Sequence, residues 1–148
     1  MSSPSQNLCN SYLLELHQAI HDWTVDQFKL ALYTSAAQLD PKIITAYTNA
    51  HEAAGTGYVA GGYDLVIPPG FPKLADSGRP LVLIDFNDIA VNPAFFATSY
   101  GLIYNASKAN RAVAVINWGT GYFATVDFGI AWPEPDESHC IIRLGAGE

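Results

Sequence analysis

Apolar positions in this chain first recur at helical spacing. Leu13, Leu16, Ile20 and Trp23 fall at three- and four-residue steps with Glu15, Gln18 and Asp22 between them, which predicts one amphipathic helix over residues 11–23. Asn10 or Ser11 can cap its first turn, and Thr24 followed by β-branched Val25 weakens its continuation. Residues 1–10 are polar and aperiodic, which reads as an arm preceding a single β-rich domain over residues 11–148.

From Gln27 the period drops to two. Phe28, Leu30 and Leu32 share one face of a strand over residues 27–34. Asp40-Pro41 signals a turn, with a short helical turn expected over residues 42–47. The stretch over residues 53–62 holds four glycines, too many for a helix, and reads as a loop with a bulged strand. Further strands are expected over residues 63–67, 81–86, 95–104, 112–118, 122–132 and 139–144, with 87–93 as a connection. The polar run 105–110 suits a hairpin loop, and Gly119-Thr-Gly121 a turn. Close-spaced strands punctuated by Gly and Pro predict a mainly β fold, an antiparallel β-sandwich or barrel-like domain with one N-terminal amphipathic helix.

Composition narrows the function classes. The chain is 49% apolar and 14% charged, so it is an ordered globule whose surface is sparsely charged, a first sign that neighbours cover part of it. The net charge is −7, and the seven basic residues stand singly, which leaves no patch for phosphates; direct nucleic-acid binding is not expected. No secretory signal pattern opens the sequence and no apolar run is long enough to span a bilayer, so no membrane partner is expected. The two cysteines, Cys9 and Cys140, lie in no metal or redox motif and read as free thiols.

Candidate chemistry is weak throughout. The run Gly55-Thr-Gly-Tyr-Val-Ala-Gly-Gly62 lacks the Lys-Ser/Thr ending and following helix of a phosphate loop. His17 and His21 stand one helical turn apart, a metal-chelating spacing, but Gln18 occupies the place where a zincin has Glu. On the predicted helix His17 borders the apolar stripe and His21 faces outward. His139 and Cys140, as strand neighbours, point to opposite faces. Asp85, Asp88, Asp127, Glu134, Asp136 and Glu137 read as solvated loop acids. Asn105-Ala-Ser107 matches a glycosylation acceptor by chance in a chain without a signal. No catalytic residue, cofactor or metal site is expected.

Several blocks resemble a family of small virion structural proteins of tailed bacteriophages. They are Phe28-Lys-Leu-Ala-Leu-Tyr-Thr-Ser-Ala-Ala-Gln-Leu-Asp40, Thr45-Ala-Tyr47, the glycine-rich run 55–62, Gly101-Leu-Ile-Tyr-Asn105, Asn110-Arg-Ala-Val-Ala-Val115 and Cys140-Ile-Ile-Arg-Leu144. Residues 63–85, with Pro68-Pro-Gly-Phe-Pro72, depart from the pattern. The resemblance implies a non-enzymatic virion protein assembled in the bacterial host cytoplasm. Its leading form is a capsid decoration, or cement, protein that binds the major capsid protein or other virion proteins and self-associates as a dimer or trimer. The polar arm supplies the expected partner-binding residues, Ser2, Ser3, Pro4, Ser5, Gln6 and Asn7. The alternatives are a neck or tail component and a carbohydrate-binding host-recognition module using Trp118, Tyr122 and Trp132.

Overall fold

The computed structural model describes residues 5–74, 81–132 and 142–145. Its centre is β2 (Phe28–Tyr33), which lies between β7 (Phe96–Asn105) and β3 (Tyr63–Leu65). Every residue of β2 except Lys29 is buried, which is why its alternation is framed by a nearly continuous apolar run. Across the ribbon of β7 and β8 (Arg111–Ala124), Leu30 faces Ile103 and Ile103 faces Ala114, and with β1 (Ser5–Leu8) on the far edge of β8 this gives an antiparallel sheet of order β1-β8-β7-β2-β3. The polar run after β7 closes this hairpin as expected, with Ala109 and Asn110 in the left-handed region.

Two smaller antiparallel sheets complete the architecture. One has the order β10-β5-β4, from β4 (Lys73–Leu74), β5 (Leu81–Ile84) and β10 (Ile142–Gly145). The other pairs β6 (Ile89–Val91) with β9 (Phe128–Ile130). Aromatic rings tie them to the main sheet: Trp23 stacks on Phe28 at 3.7 Å and reaches Phe86 at 6.1 Å, while Phe128 packs on Phe96 at 5.0 Å. The fold is thus mainly β and antiparallel. Its sheets are open and sandwich-like rather than closed into a barrel, for β1 and β3 end the main sheet without pairing to each other.

Several expectations need correction. The arm over residues 1–10 is no free arm in its second half: Ser5–Leu8 form β1, in register from Ser5 opposite Asn117 to Leu8 opposite Ala114. Backbone pairing on an edge strand does not require apolar side chains, so hydropathy gave no sign of it. The helix predicted over 11–23 is α1 (Asn10–His17); it stops where Ala19 takes a left-handed φ of 58°. Trp23 meets its apolar demand by stacking on Phe28 from a turn. The residue at the N-cap is Cys9, and neither Asn10 nor Ser11 caps.

The face of α1 also differs. Tyr12 and Glu15 are buried, whereas Leu13 is 40% exposed. Gly119-Thr-Gly121 is no turn; β8 runs through it to Ala124. Gly119 and Gly121 have positive φ, and the β7 partner register shifts nearby between Thr98 and Tyr100, as at a bulge. Finally, residues 87–93 contain a strand, β6, and the helical turn expected over 42–47 lies earlier, closed by Ile44 N–H on Asp40 O at 2.9 Å, while Ala46 bridges Arg111.

Candidate functional site

Glu15, on α1, is the hub of a polar clasp at the hairpin end of the β7–β8 ribbon. Its Oε2 accepts from Arg111 Nη1 at 2.5 Å, and its Oε1 lies 3.0 Å from His21 Nε2. His21 Nδ1 lies 3.0 Å from the amide nitrogen of Asn105. That amide also donates to Asp26 Oδ2 at 2.8 Å, while Asn105 Oδ1 accepts from Ser107 N–H at 3.0 Å. Both Asn105 N–H groups are therefore spoken for, His21 Nδ1 accepts, and the ring proton sits on Nε2 facing Glu15. Lys108 Nζ closes the arrangement on Asp26 at 2.8 Å.

Burial raises the Asp26 carboxyl, but hydrogen bonds from Lys108, Asn105 and the Asp22 backbone, with the Lys108 charge, outweigh it and hold it below the usual carboxylate range. The sequence placed His17 and His21 together as a chelating pair, with His21 outward. The structure reverses this: His21 is buried in the clasp and His17 is exposed. With Nδ1 and Nε2 both engaged, His21 is a structural histidine.

A second polar cluster fixes the glycine-rich loop. Glu52 Oε1 accepts from Tyr58 Oη at 2.6 Å and from the Gly61 N–H at 2.8 Å, and its Oε2 accepts from Tyr47 Oη at 2.7 Å. Tyr104 Oη donates to Gly61 O at 2.6 Å. Burial, then the bond to Glu52, pushes the Tyr47 phenol up to about 12 and raises Tyr58 further. These phenols act as fixed donors. Gly62, at φ +86°, sits so close that a Cβ would stand 1.9 Å from Leu30 O. A loop whose Gly61 N–H is bound to a carboxylate is built to hold its own shape.

The remaining candidates are scattered. Cys9 is buried and free, and burial, then the nearby Glu15 charge, pushes its thiol up to about 12, far from a reactive thiolate. His139, Cys140, Glu134, Asp136 and Glu137 lie outside the described residues, as do Ser2, Ser3 and Pro4. Ser5, Gln6 and Asn7 lie in β1, opposite Asn117, Ile116 and Val115. Asp85 is buried, Asp88 accepts from Trp132 N–H at 3.0 Å, and Asp127 is exposed. Among the described residues no group of three or more His, Cys, Asp or Glu is placed to hold a metal.

The three rings expected as a sugar platform do not form one. Trp118 is buried, Trp132 packs on Phe86 and Tyr122 on Phe128. The exposed rings are instead Phe95 and Phe123, 55% and 54% exposed, packed edge to face at 5.2 Å. Strand alternation could have flagged Phe123, which points away from Tyr122 and Ala124. Compared with protein-family models, with curated proteins and with solved structures, the chain matches none.

Proposed function

We propose that this protein is a structural component of a tailed-phage virion that works by binding other virion proteins, in the first place as a capsid decoration protein on the major capsid protein. The carrying observation is the distribution of exposed apolar side chains. Eleven large ones stand exposed among the described residues, on α1, on loops and on several strands, so the apolar surface is spread over the molecule and not gathered into one pocket. A chain with only 14% charged residues has little to solvate that surface in isolation. Several modest contacts per copy, multiplied over a lattice, give firm attachment by avidity. The sequence resemblance supplies the virion setting.

Copy number tests the reading. Quantitative mass spectrometry of purified particles should find on the order of hundreds of copies, matching a symmetric lattice; about a dozen would move the protein to the neck or tail. Absence from the particle ends the proposal. The polar N-terminus has its own test, sharpened by β1. Deleting residues 1–4 should lower particle occupancy at unchanged melting temperature, whereas deleting 1–8 removes a sheet strand and should cost about 3 kcal/mol of stability in urea unfolding. Unchanged occupancy after the shorter deletion would remove Ser2, Ser3 and Pro4 from the partner surface.

A further inference from the structure

At the open end of the ribbon, β7, β8 and the segment following β2 form a shallow, open cleft of about 350 Å³, near the small end of the roughly 300–1,000 Å³ range of ligand pockets. We propose that this cleft binds a short neutral saccharide, a function separate from virion assembly and independent of it. Thr34, Ser35, Ser99, Tyr122 and Phe123 line it around Gly121, and among the described residues no lining side chain is a carboxylate, amine, guanidinium or imidazole. Recognition by ion pairing is therefore closed to phosphates, uronates and amines, and a ligand must be held by hydroxyl chemistry and apolar contact.

Both are present. Thr34 Oγ1 donates to His51 O at 3.2 Å, which fixes that hydroxyl with lone pairs left to accept, and Ser99 lines the cleft beside Gly121. Beside Ala97 in register stands the half-exposed Phe123 ring, its plane set at 87° to Phe95. A sugar ring presents C–H groups on its faces and hydroxyls at its edge, and this pairing of an aromatic wall with a hydroxyl rim matches both. Gly121 keeps the floor open. It holds φ at +90°, and a Cβ there would stand 2.6 Å from Ser99 Oγ.

The test is amide chemical-shift titration of the full chain with a panel of neutral disaccharides (maltose, cellobiose, lactose and N,N′-diacetylchitobiose), with glucuronic acid and an apolar peptide as contrasts. Saturable shifts confined to residues 34–35, 97–99 and 121–123 with at least one neutral sugar are expected. Phe123→Ala should weaken that binding about tenfold at unchanged melting temperature, since the ring is exposed. Ser99→Ala should weaken it less. The proposal is overturned if no neutral disaccharide shifts these amides, if Phe123→Ala binds as wild type does, or if only the peptide or the uronic acid shifts them.

Discussion

The two ends of the β7–β8 ribbon are built on opposite principles. At the hairpin end, Asn105 and Arg111 bind α1 and the turn after it through Glu15, His21 and Asp26, and the polar side chains of the clasp are bonded to one another. At the other end, Phe95 and Phe123 stand half in solvent beside a cleft lined, among the described residues, by uncharged side chains. One end spends its polar groups on holding the fold. The other leaves apolar surface exposed and hydroxyl lone pairs able to accept, the condition for binding something else. Substitutions should accordingly separate into those that lower stability and those that leave it alone.

The largest effect is expected at the hub. Glu15→Ala strips partners from buried His21 and from Arg111 and should cost about 3 kcal/mol, given that Arg111 is partly solvated. The melting temperature should then fall by roughly 6–12 °C. A fall no larger than that of an ordinary surface substitution would mean that the clasp does not hold the ribbon.

Acid should act on the same end. Asp26 has its folded-state carboxyl below the unfolded value, so its contribution is present above about pH 4 and is lost as pH falls through the folded value. Urea midpoints of wild type should drop across that window more than those of Asp26→Asn, and parallel curves would count against the pair with Lys108. Alkali acts through the other polar cluster. Tyr47, raised to about 12, contributes stability that is fully present below about pH 10 and is lost as pH climbs through the raised value. Tyr47→Phe should flatten the alkaline limb of the stability curve.

The smallest effect on stability belongs to the open end. Phe123→Ser should move the unfolding free energy by no more than about 0.5 kcal/mol while weakening whatever that surface binds. A loss of several kcal/mol would show that Phe123 is core and would erase the contrast between the ends.

The main sheet was legible because its signal is local: the alternation of Phe28, Leu30 and Leu32, and the hairpin loop after Asn105, rest on neighbouring residues alone. The end of α1 was not. Ile20 and Trp23 continue the helical period, and only the stacking of Trp23 on Phe28 reveals that a turn satisfies it better. The clasp was invisible for a plainer reason, since Glu15 and Arg111 lie 96 residues apart and each reads as a surface charge. β1 escaped because edge pairing uses backbone and leaves no hydropathy pattern. Among the candidate chemistry, the glycine-rich run was legible as a loop, yet the Glu52 that fixes it carries no motif.

The central claim is that this chain works by attachment within a phage particle, and a reconstruction of the intact particle tests it most directly. The account predicts density for the chain where major capsid subunits meet, with exposed apolar residues such as Leu14, Ile43 or Val66 at the contacts and the Glu15–His21–Asn105 clasp wholly inside the bound domain. A particle without this chain, or one in which it meets its neighbours without any of the exposed apolar residues, would contradict it.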